Sequence, residues 1–221
     1  MISFLDFTKP YQLNTSIPEF LGNNLIFDAN MQVFYSIDLA IFYFLNHTIS
    51  TGFLDKFFII ITDVKHWYIA YVILLGIIFI KGGKQGRLAV LGILVLIVVT
   101  DQLGYKLLKE LFQRPRPCKI LSDVFTPLGC NGSYSFPSNH ALNNFAAAAF
   151  FSTLYKKYKT VLYMVASLIA LSRVYLGLHY PSDIIAGAAI GMAFGYIFGI
   201  IVLKLNTIID QRKKVEHKDI A

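Results

Sequence analysis

Long apolar runs alternate along the chain with short polar clusters, and the runs have the length and continuity of membrane helices. Residues 67–80, 88–112, 141–155 with a polar lead-in, and 160–178 are four strong segments, and 183–205 is the cleanest of all. Crossing a bilayer takes about 20 residues at ~1.5 Å rise, so the first segment is expected to borrow length from the "GFLDKFFIIITDVKH" before it. Residues 31–45 are short and carry Asp38, a pattern that favours an amphipathic helix lying at the interface, with a sixth crossing as the alternative. The pattern therefore predicts an all-α integral-membrane helical bundle with five or six transmembrane helices and an N-terminal interfacial helix. Along the chain this reads as an interfacial segment over 1–52, the bundle over 53–205, and a basic tail over 206–221. No polar linker or internal repeat divides the bundle.

Composition agrees, because 56% of the 221 residues are hydrophobic, above the usual level of soluble domains. The opening "MISFLDFTKPYQLNTSIPEF" mixes acids, prolines and polar residues, so no cleaved signal peptide is expected.

The net charge of +7 is unevenly placed. Lys81, Lys84 and Arg87, then Lys156, Lys157 and Lys159, then Lys204, Arg212, Lys213, Lys214 and Lys218 all fall on one side if the strong segments alternate. The positive-inside rule makes that side, and the C-terminus, cytoplasmic. Lys106, Lys109, Arg114, Arg116, Lys119 and Arg173 gather at helix ends on the opposite side. Cations held against the usual bias call for an anionic partner: a lipid headgroup, an acidic side chain or a substrate.

The alternation brings "KELFQRPRP", "SFPSNH" and "SRVYLGLHYPSD" to that same extracytoplasmic face. Lys109 and Arg116 lie about two helical turns apart, and Pro115 and Pro117 stop the helix and bias Arg114 and Arg116 toward extended geometry. Pro137 and Ser138 read as a helix start, whose free N–H groups and positive dipole end suit phosphate oxygens, with His140 in the first turn. Asp183 lies four residues beyond His179. A carboxylate there can keep one imidazole nitrogen protonated and leave the other as nucleophile or base.

Taken together these residues resemble the type 2 phosphatidic acid phosphatases, integral-membrane lipid phosphate phosphatases that share their site with vanadium haloperoxidases. The family's first motif, Lys, six residues, Arg-Pro, looks like Lys109 through Arg116 and Pro117. Its second, Pro-Ser-Gly-His, resembles Pro137, Ser138, Asn139 and His140, with Asn139 where the family most often has Gly. Its third is matched by Ser172, Arg173, His179 and Asp183. The resemblance spans residues 53–205. It implies that His179 attacks phosphorus to form a phosphohistidine, that Asp183 orients its ring, and that His140 protonates the leaving oxygen and then activates water. Lys109, Arg116, Arg173, Ser138 and the Asn139 backbone would hold the nonbridging oxygens. The Asn139 side chain is expected to take space over the site and so to bear on substrate fit.

No Cys/His or carboxylate cluster has convincing metal-ligand spacing, so no metal and no cofactor are expected. The expected partners are the bilayer and a membrane lipid phosphate, with no nucleic acid. If the chain is bacterial, the site faces the periplasm from the inner membrane, and the resemblance allows the 1-phosphate of lipid A, undecaprenyl diphosphate or phosphatidylglycerol phosphate, the first two favoured equally. The alternatives are an anion or lipid transporter, which expects polar residues through the membrane depth, and a noncatalytic lipid-phosphate-binding protein, which has no need of both His140 and His179. Cys118 and Cys130 bracket an extracytoplasmic loop and are open to two readings, a disulfide worth about 3 kcal/mol in the chain-entropy model or two buried thiols. Gly187, Gly191, Gly195 and Gly199 form a small-residue stripe for close helix approach, inside the bundle or across a homodimer. Asp101, among apolar residues, is read as a hydrogen-bonded helix contact.

Overall fold

The computed structural model describes residues 25–130 and 132–219, with side chains from 32 to 212 apart from residue 131. Residues 1–24, where no signal cleavage is expected, and the side chains of Lys213, Lys214 and Lys218 lie outside the described residues. Helix is the regular secondary structure of all described residues that have any. The helices are α1 (Leu25–Tyr43), α2 (Gly52–Thr62), α3 (Val64–Lys81), α4 (Gly83–Gln102), α5 (Lys109–Phe112), α6 (Pro117–Ile120), α7 (Asn139–Leu154), α8 (Lys159–Tyr175) and α9 (Pro181–Asp219). Phe44–Thr48 continues α1, and Leu103–Leu108 joins α4 to α5, as π-helix. The chain divides into two compact units, Met1–Ser36 and Ile37–Ala221. In the first, the Ser36 hydroxyl donates to the Gln32 carbonyl at 2.8 Å; everything below concerns the second.

Among the described residues, three stretches are long and apolar enough to cross a membrane: Val64–Lys81, Gly83–Ile120 and Pro181–Arg212. None of the α3 residues is buried, and Tyr68, Ile69, Ile73 and Ile80 are widely exposed. Such a surface is stable only where lipid solvates it. At 16 and 17 residues, α7 and α8 are shorter than α4 and α9. They carry polar site residues at their ends and lie deeper in the bundle.

One expected boundary is corrected. The segment before α3 does not lengthen it, because the helix breaks at Asp63, whose backbone is extended and whose carboxylate caps α3 by accepting the Lys65 N–H at 3.0 Å. An N-cap carboxylate favours a fresh helix start over continuation, so α2 is separate and α3 spans the required length alone.

Central to the bundle is α7, packed against α4, α8 and α9. Ala89, Ile93 and Leu96 of α4, Ala146, Phe150 and Leu154 of α7, and Val202 of α9 form one core cluster. Phe42 of α1, Ala141 of α7, Ala170 and Val174 of α8, and Ile184 of α9 form a second. The glycine stripe of α9 lies on α7: a Cβ on Gly187 would meet the Ser138 carbonyl oxygen at 2.7 Å, and one on Gly199 would meet Thr153 at 2.8 Å. The same stripe cannot serve a homodimer while α7 covers it, which corrects that reading. Gly187, Gly191, Gly195 and Gly199 meet Ser138, Leu142, Ala146 and Thr153 in ascending order, so α7 and α9 run parallel and their N-termini sit at the same end of the bundle.

Candidate active site

The first cation set comes from the end of the second long stretch. A π-helical turn precedes Lys109, and Gln113, at φ 45°, ends the helix in the left-handed region. Arg116 then adopts φ −76°, ψ 152°, the extended geometry that a following proline favours. Both side chains turn inward and are 3% exposed. The Lys109 ammonium donates to the Tyr134 carbonyl at 2.5 Å. Arg116 Nε and Nη2 donate to the Ser133 carbonyl and hydroxyl, each at 2.9 Å, and Nη1 donates to the Leu178 carbonyl at 2.8 Å.

The start of α7 supplies the second set. Ser138, extended at φ −75°, ψ 113°, is the N-cap and its hydroxyl accepts the Ala141 N–H at 3.5 Å. Its own N–H donates to the Asp183 carbonyl at 3.1 Å, which ties the parallel α7 and α9 starts together. His140, half-buried in the first turn of α7, is within electrostatic reach of His179, Arg173, Arg116 and Lys109.

The third set closes the turn between α8 and α9. Gly177 has φ 74°, and a Cβ there would meet the Phe125 carbonyl oxygen at 2.7 Å, so conformation and space both require glycine. The Leu178 and His179 N–H groups fold back on the Arg173 carbonyl at 3.0 and 3.2 Å. Arg173 donates from Nη1 to Thr62 Oγ1 at 2.9 Å, while its buried Nε has no partner.

His179 is 2% exposed. Its Nε2 lies 3.1 Å from Arg116 Nη1, and its Nδ1 lies 3.5 Å from Asp183 Oδ2. A guanidinium only donates, so Nε2 must offer its lone pair and the ring proton belongs on Nδ1, facing the carboxylate. Burial pushes the imidazole down to about 3, with Arg116 and Arg173 acting in the same direction and Asp183 opposing. Asp183 is fully buried; Oδ2 also accepts from the Ser135 hydroxyl and, at 2.8 Å, from the Tyr180 N–H.

The three sequence clusters thus meet. Lys109 is within electrostatic reach of Arg116, Asp183 and Arg173. One expectation is overturned: the Asn139 side chain does not lie over the site. Its amide donates to Asp101 at 3.1 Å, beside Asn143, which donates to the same oxygen at 3.3 Å. Gly104 leaves the room, since a Cβ there would meet Asn139 Oδ1 at 2.7 Å. Arg114, read from sequence only as one of the outer cations calling for an anionic partner, finds acidic side chains and bridges Asp38 and Asp183 at 2.6 Å each. Two participants were not singled out from sequence: Ser135 holds Asp183, and Thr62 holds Arg173. Asp38, read from sequence as the mark of an interfacial helix, is 6% exposed and ion-paired. The available signal was physical, since a lone carboxylate in an apolar helix requires a partner, but nothing local says which.

Among known proteins, the family model described as the PAP2 superfamily matches residues 90–206. The chain is 34% identical to the lipid A 4'-phosphatase of Bacteroides thetaiotaomicron, over 77% of this chain and 79% of that protein. It is 32% identical to the lipid A 4'-phosphatase of Porphyromonas gingivalis, over 65% of this chain and 64% of that protein's length. The crystal structure of Aquifex aeolicus LpxE superposes with a TM-score of 0.59 at 31% identity, covering 76% of this chain and 95% of that one.

Proposed function

Because the chain belongs to the PAP2 superfamily, we propose that it is a membrane lipid phosphatase that releases phosphate from an envelope lipid through a phosphohistidine on His179. The observation that carries this reading is the His179 ring, with its Nε2 lone pair turned toward buried cations and its Nδ1 side toward Asp183. Arg116 Nη1 donates to that lone pair; an incoming phosphoryl oxygen takes over the guanidinium and frees Nε2 for the phosphorus.

The Nε2–P bond forms as the bond from phosphorus to the lipid oxygen breaks, and His140 gives the leaving oxygen its proton. Water then attacks phosphorus, His140 takes the water's proton, and the P–N bond breaks to return His179 and inorganic phosphate. Lys109, Arg116, Arg173, the Ser138 hydroxyl and the backbone N–H of Asn139 hold the equatorial oxygens, where charge spreads in the transition state. The unpartnered Arg173 Nε is a donor awaiting such an acceptor. Parallel α7 and α9 aim two positive helix ends at the same place. A pocket lined by three cations repels a divalent ion and supplies the neutralisation that one would give, so the reaction is metal-independent.

The site lies on the extracytoplasmic face of a bacterial inner membrane and the C-terminus is cytoplasmic, by the clustering of Lys and Arg. The substrate is a phosphate of lipid A, whose headgroup reaches an interfacial site while its acyl chains stay in lipid. The names of the relatives from Porphyromonas gingivalis and Bacteroides thetaiotaomicron add the 4'-phosphate to the 1-phosphate as the group removed.

The test is purified protein in detergent, with and without chelator, offered lipid A bearing only the 1- or only the 4'-phosphate, undecaprenyl diphosphate and phosphatidylglycerol phosphate, alongside His179→Ala. Phosphate release is expected from lipid A, unchanged by chelator and lower by about 10⁴-fold or more in the variant. Turnover by His179→Ala, or activity lost to chelator and restored by a divalent ion, would count against the mechanism. A clear preference for a prenyl or glycerol lipid would reassign the substrate.

A further inference from the structure

Asp38 lies outside residues 90–206, the part matched by the family model, yet it touches the centre of the site. Its Oδ1 accepts the Ser182 N–H at 2.8 Å, and its Oδ2 accepts the Ser182 hydroxyl at 2.5 Å and Arg114 Nη2 at 2.6 Å. The other arm of Arg114, Nη1, donates to Asp183 Oδ1 and to the Ser182 hydroxyl, both at 2.6 Å. The guanidinium plane is steadied further by the Tyr180 ring, 4.0 Å away. A single rigid fork is therefore clamped between two carboxylates, one from α1 and one beside the nucleophile.

Two consequences follow for His179. With Oδ1 held by Arg114, the Asp183 carboxylate cannot rotate, and Oδ2 stays turned to the imidazole Nδ1. An unbalanced Arg114 would also cancel the Asp183 charge, in a site that already holds Lys109, Arg116 and Arg173. Asp38 supplies the balancing charge, so the trio keeps one net negative charge, directed at the ring that gains positive character when Nε2 bonds to phosphorus.

We propose that Asp38 and Arg114 are positioning residues for the reaction: Arg114 fixes the Asp183 carboxylate on His179, and Asp38 balances Arg114 so that Asp183 keeps its charge for the imidazole. This rests on His179 being the nucleophile, and the experiment separates the two ideas.

Full-length protein in detergent is assayed on a soluble aryl phosphate and on lipid substrate as Asp38→Asn, Arg114→Lys, Asp183→Asn, the double variant Asp38→Asn/Asp183→Asn, and His179→Ala. Asp38→Asn keeps shape and loses charge; Arg114→Lys keeps charge and loses the two-armed fork. Each is expected to lower kcat by about tenfold or more with KM changed less than about threefold. In the Asp183→Asn background, Asp38→Asn is expected to have no further effect, since it acts through that carboxylate. An undiminished Asp38→Asn penalty in the double variant would overturn the proposal, as would wild-type kcat in both single variants. Loss of folded protein in both single variants would assign the network to stability alone and overturn it equally. Turnover by His179→Ala would instead remove the nucleophile reading beneath it.

Discussion

The His179 ring illustrates how burial sets chemistry at a single residue. Taken out of water and set among cations, it holds its pKa at about 3, so it is a neutral nucleophile wherever a free imidazole would titrate. Following the ¹⁵N imidazole signals of labelled protein, we expect the His179 ring to stay neutral from about pH 8 down to about pH 5; a midpoint near the ordinary value would contradict the burial argument. The sign for stability is equally definite. The folded value lies below the ordinary 6.5, so the unfolded chain takes up this proton first. The contribution of the neutral ring is whole above pH 6.5 and is lost as pH falls toward 3. Asn139 shows the opposite case of a side chain whose place only its neighbours decide. Its position in the motif put it over the phosphate, whereas Asp101 and the space left by Gly104 draw it away from the site.

At the scale of elements, the site depends on α7 and α9 lying almost backbone to backbone. Ala141, Ala146 and Ala149 on one helix and four glycines on the other remove the side chains that would hold them apart. A Cβ on Gly191 would press into the Leu142 carbonyl. Gly191→Val is therefore expected to cost about 1–3 kcal/mol by overpacking, visible as a lower melting temperature in detergent. Activity should fall with it, because a displaced α7 carries Ser138 and His140 with it; full stability and activity would mean the helices are farther apart than described. The spacing of the glycines was visible in the sequence, but their partner was not, because a small-residue face suits any helix close enough to use it. The break at Asp63 was missed for a similar reason. One capping carboxylate outweighed an apolar run that hydropathy alone reads as continuous.

Across the whole molecule, the loop between the first two motifs is tied down at several points. Cys118 and Cys130 are bonded with Cα atoms 5.9 Å apart. Val124 and Phe125 pack at Gly177, and Asn46 joins the Phe125 backbone N–H and carbonyl, at 3.0 and 2.9 Å, to the Tyr175 carbonyl at 2.6 Å. The loop thereby braces the turn that presents His179. Reduction, or Cys118→Ser with Cys130→Ser, is expected to lower the melting temperature, through a stability loss of up to about 3 kcal/mol in the chain-entropy model, with a mobility shift on nonreducing gels. No shift and no change in melting would mean that the bond does not form in the membrane.

By itself the sequence determined the helical, lipid-solvated character of the chain and the three motifs that supply Lys109, Arg116, His140, Arg173, His179 and Asp183. Both are carried by local information, namely the length of apolar runs and the spacing of a few residue types. Tertiary structure decided the rest: that Asp38 reaches Arg114 across 76 positions of chain, that Asn139 turns to Asp101, and that the glycine stripe belongs to α7. Each of these is a choice among several chemically adequate partners. A buried polar group must find one, but only the packing of distant helices settles which partner is within reach.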